Sequence, residues 1–249
     1  MSLRLGIVVG DDALLRAART SDPVDVVVLR STFLNPPRAA AARRLAERIH
    51  ELHEDVEIVP YAWHYLSYEA DDRIEVGSNR ALEAKPGSFG HFRATPEVEQ
   101  AWNVTKICAE AVGAQRVVVR TPPSFSPGSL SRRRLTRFIE TRSEGDPKLV
   151  WEPQGLWEPT AAAIFAAPLG VEVLAAAFSM TGQLLECDGA SWLQVTGGKD
   201  AKLRSSHAEV LAYALADLAD EDAPDLTLLF EGPRAYANLR AFSSNLDAM

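Results

Sequence analysis

Short runs of branched apolar residues recur along the chain, and nearly every run ends at a polar or turn-forming residue. Continuous runs of this length are typical of strands buried on both faces of a parallel sheet. Most of them are followed by a helix signal, and eight strands alternating with helices in 249 residues predict a TIM-like (β/α)8 barrel, an α/β fold. The predicted strands are residues 5–9, 26–29, 56–59, 117–119, 149–151, 171–173, 192–195 and 226–230.

The helix signals are clearest after the third predicted strand. Thr95 and Pro96 are residue types favoured at the start of a helix, and Gly113 is favoured just past its end. An apolar stripe at helical spacing begins at Val98, between these limits. The regular alternation of strands and helices predicts a single domain over residues 1–249.

One connection is much longer than the few residues that usually join a strand to a helix in such barrels. It spans residues 63–94, and in a barrel it would lie over the carboxyl ends of the strands, where this fold carries its chemistry. Two interpretations remain open: a lid or pocket wall, or a satellite cluster that holds a long loop in place. The segment contains Trp63, His64, Tyr65, Tyr68, Phe89, His91 and Phe92.

Composition narrows the class of protein. The chain is 47% hydrophobic and carries a formal net charge of −8, which disfavours nucleic-acid binding through phosphate neutralisation. No stretch approaches the roughly 20 apolar residues that span a bilayer, and no signal peptide precedes the first strand. Cys108 and Cys187 form neither a disulfide framework nor a metal-binding spacing. We therefore expect a cytoplasmic protein without nucleic-acid or membrane partners; its oligomeric state stays open.

Two carboxylates are the best candidates for proton transfer, Glu152 after the fifth strand and Glu231 after the eighth. An apolar wall such as Trp151 beside the carboxyl of Glu152 would raise its pKa, as a general acid requires, whereas a nearby arginine would oppose that shift. The alternative is a buried Glu–Arg pair that only closes the barrel mouth. We predict Glu152 as the catalytic residue and Glu231 as a ligand-binding residue.

Cationic strand ends indicate a site for an anion. Arg30 and Arg120 follow strands on the same side of the predicted barrel, and two guanidinium groups can together bind a carboxylate or a phosphate. Residues 196–199 follow the seventh strand, where barrels often bind phosphate, although such a segment is also an ordinary turn. The predicted ligand is a small anionic molecule. The remaining predicted binding residues are Trp63, Trp151, Gln154, Gln194 and Thr196, with Phe178 as a further wall.

Cofactor-dependent chemistry finds little support in the sequence. His50, His53 and His207 lie on or beside predicted helices and are expected to face solvent, which leaves His64 and His91 near the pocket. Two histidines fall short of the clusters that divalent metals require, so no metal ligand is predicted. No dinucleotide-binding fingerprint occurs either, and no cofactor is expected.

A serine-based catalytic triad is not predicted. Ser31 and Ser124 stand near strand ends, but neither has a well-placed histidine in view, and no Gly-x-Ser-x-Gly elbow occurs. Hydrolysis or isomerisation by acid and base groups is therefore the favoured chemistry.

Several motifs resemble those of the YecE-like proteins, also called domain-of-unknown-function family 72 (DUF72). The resemblance covers most of the chain, with its clearest part at residues 92–157 and a looser fit in the final two strands. It implies a TIM-like barrel, in agreement with the strand pattern, and it brings no established reaction. The motifs are Phe92-Arg93-Ala94-Thr95-Pro96, Ala101-Trp102, Thr121-Pro122-Pro123-Ser124-Phe125 and Trp151-Glu152-Pro153-Gln154-Gly155-Leu156-Trp157, extended by Ser31-Thr32-Phe33 and Ala62-Trp63.

The chain departs from that family mainly at ionisable strand-end positions. The resemblance implies that family members carry Asn, Lys, His, Arg or Asp side chains where this chain has other residues, whereas Glu152 is retained. These losses imply either a different ligand, with Arg30 and Arg120 supplying replacement charge, or a scaffold that has lost catalysis. The changed positions are Arg30, Tyr61, Tyr68, Gln154, Gln194, Thr196 and Glu231-Gly232, with an aspartate replaced within residues 175–177.

Two hypotheses for the function follow. In the first, the protein is a hydrolase or isomerase without a redox cofactor, acting on a small anionic or phosphorylated sugar-like compound. In the second, it is a non-catalytic member that binds a ligand or a partner protein through the same mouth. A metal-dependent phosphodiesterase, suggested by other barrels of this size, is a third.

Overall fold

Eight parallel strands form the centre of the protein. Its structure, a computed structural model, describes residues 2–72, 85–179, 182–185, 189–197, 200–217 and 225–246. The strands are β1 (Leu3–Val9), β2 (Val26–Leu29), β3 (Glu57–Pro60), β4 (Arg116–Arg120), β5 (Lys148–Glu152), β6 (Glu172–Ala176), β7 (Trp192–Thr196) and β8 (Leu226–Glu231).

The strands form one sheet in the order β3-β2-β1-β8-β7-β6-β5-β4. At the ends of this order, Tyr61 and Val118 form a parallel bridge, and the amide of Ala62 donates to the Val118 carbonyl at 2.8 Å. This contact brings β3 against β4, so the sheet is a nearly closed barrel. The predicted TIM-like fold is confirmed.

Helices connect most of the strands. The helix predicted from Thr95 and Pro96 begins there, and Gly113 follows its end with a φ of 71°. The first helix is a single turn, and the described residues between β6 and β7 contain none, so these two connections depart from the regular pattern. The helices are α1 (Asp12–Leu15), α2 (Ala39–Leu52), α3 (Pro96–Ala111), α4 (Ser129–Glu140), α5 (Pro159–Ala166), α6 (Ser205–Asp217) and α7 (Ala235–Leu246).

Side chains alternate along each strand between the barrel interior and the layer beneath the helices. On β5, Val150 packs in the interior cluster, whereas Trp151 packs in an outer cluster with residues of α3, α4 and α5. Because side-chain direction repeats every two residues, Glu152 points inward as Val150 does. The same parity directs Arg120 of β4 inward with Val118. The interior cluster is Val8, Val26, Val28, Phe33, Val59, Tyr61, Tyr68, Val118, Val150, Leu174, Trp192 and Leu229.

The amino ends of the strands carry a network of ion pairs. Arg116 binds Glu57 at 3.0 Å and Glu172 at 2.8 Å, and Arg4 binds Glu57 at 2.5 Å. These four side chains satisfy one another at the end of the barrel opposite the predicted site. Their mutual pairing marks this end as structural.

Two histidines expected to face solvent do not. His53 is 5% exposed, stacks on Tyr236 and has its Nε2 3.2 Å from the Tyr236 hydroxyl. Burial lowers the pKa of His53, so the ring is held neutral near neutral pH. His207 is half-buried and stacks on Phe178 with ring centroids 5.2 Å apart. Both side chains therefore contribute to packing. Their position on or beside a predicted helix did not reveal that each stacks on an aromatic ring.

None of the helices within the described residues has the length and apolar character needed to cross a membrane.

Candidate functional site at the barrel mouth

Side chains from five strand ends converge at the carboxyl end of the barrel. Arg30 directly follows β2, Tyr61 directly follows β3, and Arg120, Glu152 and Glu231 are the last residues of β4, β5 and β8. Each occupies the inward parity of its strand, so residues far apart in sequence meet at one rim. The predicted convergence of Arg30, Arg120 and Glu152 is observed in the ion pairs that join them.

Glu152 is surrounded by hydrogen-bond donors and cations. The Tyr61 hydroxyl donates to its Oε2 at 2.8 Å, and Gln154 Nε2 donates to its Oε1 at 3.1 Å. Arg120 Nε lies 3.4 Å from Oε1, and Arg30 Nη2 lies 3.7 Å from the same oxygen. The residue is 6% exposed. These are the contacts that a buried carboxylate makes as an acceptor.

Glu231 lies on the other side of the Arg30 guanidinium. Arg30 Nη1 forms an ion pair with its Oε1, and Gln194 Nε2 donates to its Oε2. Burial raises the pKa of Glu231, the Arg30 charge opposes this, and the nearby Glu152 charge adds to it. Glu231 is therefore a candidate proton donor.

Two tyrosines complete the inner wall. Tyr61 accepts a hydrogen bond from Arg30 Nη2 at 3.2 Å, and burial raises its pKa well above the usual range. Burial also raises the pKa of Tyr68 to about 12, with the Arg120 charge opposing and the Glu152 charge reinforcing the shift. Both hydroxyls therefore remain protonated near neutral pH and can donate hydrogen bonds.

The charges in the mouth nearly balance, because two guanidiniums face two carboxyls. Two buried donors nevertheless lack a hydrogen bond among the described residues, the Nε atoms of Arg30 and Arg120. The Arg120 Nε has only an ion-pair contact, 3.4 Å from Glu152 Oε1, and this is the one ion pair of Arg120 within the described chain. Buried donors without a hydrogen bond favour a ligand that supplies acceptor oxygens.

A cavity of about 400 Å³ opens beside Glu231. It lies at the carboxyl ends of β1 and β8, and its volume is within the usual range for a small-molecule site. A larger groove of about 800 Å³ lies elsewhere, around Lys106, Arg116 and Lys148, and contains none of the mouth residues. The lining of the first cavity includes Val8, Gly10, Asp11, Glu231, Gly232 and Pro233.

Several residues predicted as ligand contacts lie away from this cluster. The side chains of Trp63 and Trp151 pack in the outer hydrophobic layer, where Trp151 Nε1 donates to Thr121 Oγ1 at 3.1 Å. Phe178 packs against the helix side of the sheet, next to His207. These three aromatics do not form walls around Glu152, because their positions have the outward parity of the strands or lie beyond them.

The segment after β7 is described only in part. Thr196 is exposed and pairs in register with Glu231, whereas Gly198 and Lys199 lie outside the described residues. A Cβ atom at Gly197 would fall 2.0 Å from the Ala201 carbonyl oxygen, so a tight turn explains this glycine. The phosphate-loop interpretation of residues 196–199 stays a prediction.

A second polar cluster, which sequence reasoning missed, lies beside the mouth. Ser124 Oγ is 3.0 Å from His91 Nε2 and donates to Asp72 Oδ1 at 2.5 Å. On the other side of the ring, His91 Nδ1 is 3.1 Å from Glu69 Oε1. The expectation that Ser124 lacks a well-placed histidine is wrong. The available signal was that His91 stands in the long connection after the third strand and Ser124 follows the fourth strand, and both connections were predicted at the carboxyl end of the barrel.

No protein-family model and no curated protein matches this chain. Solved structures do. A DUF72 family protein from Enterococcus faecalis V583 is similar over 99% of this chain and 98% of its own, at 12% identity and a TM-score of 0.67. A second, from Thermotoga maritima MSB8, is similar over 99% and 100%, at 10% identity and a TM-score of 0.63.

An AP endonuclease of family 2 from Brucella melitensis is similar over 97% of this chain and 98% of its own, at 12% identity and a TM-score of 0.60. At these identities each likeness shows the fold. The chain is thus a TIM-like barrel whose structural relatives include DUF72 proteins, and the resemblance inferred from its motifs is confirmed at that level. Within the described residues, no group of three or more His, Cys, Asp or Glu side chains is arranged to hold a metal ion.

Proposed function

We propose that the barrel mouth is the active site of a hydrolase or isomerase that acts on a small compound with an anionic group, such as a phosphorylated or carboxylated sugar. The observation that carries this proposal is the pair of carboxyls, Glu152 and Glu231, joined by the single guanidinium of Arg30. Acid–base chemistry needs two such groups in different environments within one site.

The two carboxyls suit different roles. Glu152 accepts hydrogen bonds from Tyr61 and Gln154, so it is suited to remain an acceptor and to take a proton from the substrate. Glu231 has a pKa raised by burial, so it is suited to hold a proton and to donate it. Glu231 also lines the 400 Å³ cavity, in which it is the one lining residue that belongs to the mouth cluster.

The preference for an anion rests on Arg120 and on the protonation of Glu231. When Glu231 is protonated, two guanidiniums face one carboxylate, and the mouth has an excess of one positive charge. Arg120 is the more available of the two cations, because Arg30 already contacts Glu231, Glu152 and the Tyr61 hydroxyl. A phosphate or carboxylate oxygen would pair with the Arg120 guanidinium, whose one ion pair within the described residues is the contact with Glu152.

Binding is tested first, with millimolar inorganic phosphate and thermal unfolding. Phosphate should raise the melting temperature of the wild type, and Arg120→Ala should remove the increase. Arg43→Ala, at an exposed position on α2, is the matched loss of one positive charge and should keep it. An equal increase in all three proteins would mean a general effect of the salt, and no increase in the wild type would contradict the anion site.

Turnover is tested with a panel of sugar phosphates and sugar acids followed by NMR. Glu152→Gln should reduce the rate on any substrate found by about 100- to 10,000-fold, the usual range for a lost general acid or base. The melting temperature of this variant should stay close to that of the wild type. A large fall in melting temperature with unchanged turnover would show that Glu152 is structural.

The alternative function is a non-catalytic binding protein. Compensation of the charges within the mouth favours it, because buried Glu–Arg pairs can close a barrel without any chemistry. Phosphate binding that depends on Arg120, without turnover of any compound in the panel, would support this alternative over the enzyme.

A further inference from the structure

The second cluster contains the three kinds of side chain of a catalytic triad, a serine, a histidine and a carboxylate, next to one another in space. Ser124 Oγ, His91 Nε2, His91 Nδ1 and Glu69 Oε1 follow one another through contacts of 3.0 Å and 3.1 Å. A nucleophile, a base and a carboxylate that orients the base are related in this way in serine hydrolases of unrelated folds. The order of the groups in space, rather than in sequence, defines the arrangement.

A strained backbone turn presents His91 to this cluster. Gly90, His91 and Phe92 have φ values of 77°, 47° and 50°, a left-handed conformation that is unfavourable for residues with side chains. Three backbone hydrogen bonds hold the turn, from these amides to the carbonyls of Tyr65, Ser67 and Leu66 at 2.9–3.1 Å. Strain of this kind is concentrated at functional sites, and here its result is the position of one imidazole.

The nucleophile is accessible and its proton has acceptors. Ser124 is exposed, whereas the His91 side chain is only 13% exposed, so an incoming molecule reaches the hydroxyl before the base. The hydroxyl proton is donated to Asp72 Oδ1 at 2.5 Å in this structure, and His91 Nε2 lies 3.0 Å from the same oxygen, so rotation of the hydroxyl brings its proton to the imidazole. Burial lowers the pKa of His91, while the charges of Glu69 and Asp72 oppose the shift, so the imidazole is neutral and able to accept a proton near neutral pH.

We propose that Ser124 is the nucleophile of a second catalytic site, with His91 as its base and Glu69 as the residue that orients His91, and that this site acts on short carboxylic esters. The proposal is independent of the function of the mouth. The two sites are neighbours, since the charges of both Asp72 and Glu152 raise the pKa of Tyr68. They share none of the residues named here as catalytic.

The reaction would proceed in two balanced stages. Ser124 Oγ attacks the ester carbonyl carbon while its proton passes to His91 Nε2, and the bond to the alkoxy oxygen then breaks as His91 returns the proton to the departing alcohol. Water next attacks the acyl-serine, gives a proton to His91, and expels Ser124 Oγ, which regains that proton. The products are a carboxylic acid and an alcohol, and the enzyme returns to its starting state.

A fluorophosphonate probe tests the proposal directly, because it forms a covalent bond with activated serines. The full chain is treated with the probe, and labelling is measured by intact mass and located by peptide mapping. His91→Asn is the informative variant, since asparagine tolerates the left-handed backbone but cannot act as the base. Ser124→Ala removes the nucleophile, and Ser126→Ala, two residues away, is the matched control.

The wild type and Ser126→Ala should be labelled at Ser124, Ser124→Ala should not be labelled, and His91→Asn should be labelled about 100-fold more slowly. Folded wild type that stays unlabelled would overturn the proposal. So would labelling at another serine alone, or an unchanged rate in folded His91→Asn.

Discussion

Arg30 is shared by two carboxyls that are distant in sequence. It contacts Glu152 and Glu231, and its guanidinium carbon lies 5.4 Å from the centre of the Tyr61 ring. The sequence predicted Arg30, Glu152 and Glu231 as site residues, because each stands at or just after the end of a buried run, but it did not predict Tyr61. It did not predict which carboxyl pairs with which guanidinium, since that depends on the register of strands that are far apart in the chain.

If the mouth binds an anion as proposed, the shared guanidinium should make the affinity depend on pH. Glu231 has a pKa raised by burial, so at low pH the protonated carboxyl leaves Arg30 with less compensation, and the mouth is more positive. As pH rises through the pKa of Glu231, the carboxylate forms and competes with an incoming anion. Sulfate affinity, measured by calorimetry from below the usual pKa of a glutamate up to neutral pH, should fall about tenfold as Glu231 ionises, a change equivalent to about 1.4 kcal/mol.

Glu231→Gln should flatten this dependence, because the amide keeps the shape of the side chain without the titration. Sulfate is the appropriate probe, since its charge is constant over the range. An equally steep profile in Glu231→Gln would assign the dependence to another group.

Successive side chains along a strand point to opposite faces of the sheet, so adjacent residues can have different roles. Trp151 packs edge-to-face on Trp157 with ring centroids 4.7 Å apart, while the next residue, Glu152, faces the interior. A run that is apolar throughout does not reveal which of its residues face inward, so the sequence argument placed both at the ligand. The sixth strand was predicted at 171–173, too short at its carboxyl end, because the alanines that follow have little preference for strands. Pairing with β7 extends β6 to Ala176.

Trp151 is therefore expected to act on stability rather than on binding. It is 1% exposed, and Trp151→Ala should reduce the free energy of unfolding by about 3–5 kcal/mol, measured by urea denaturation. Leu156→Ala, at a side chain that is 73% exposed, should have little effect.

The milder Trp151→Phe keeps most of the packing and allows the sulfate affinity of a well-folded variant to be measured. That affinity should match the wild type. Weaker binding by Trp151→Phe would restore the sequence-based assignment of Trp151 to the ligand site.

The number of paired positions between neighbouring strands is uneven around the barrel. β1 pairs with β8 through five residue positions, whereas β3 and β4 meet at the single Tyr61–Val118 bridge. The overall ring was predictable from the number and length of the apolar runs. The limited pairing between β3 and β4 was not predictable, because nothing in the apolar run of β3 indicates that it pairs with β4 at one position.

The β3–β4 contact is expected to open more readily than the rest of the sheet. Fewer backbone hydrogen bonds must break there, so the amide proton of Ala62, which bonds to Val118, should exchange with deuterium about tenfold faster than amides within the β1–β8 pairing. NMR-detected exchange measures both in one experiment. Equal protection would mean that the barrel opens only as a unit.

The barrel interior is packed with side chains, and the ion pairs around Arg116 lie at the amino ends of the strands, opposite the mouth. Val118, Val150 and Trp192 belong to the buried cluster that fills the barrel interior, as is usual for barrels of this kind. If the mouth has the proposed activity, a product must leave through the opening by which the substrate enters, so product release competes with substrate binding.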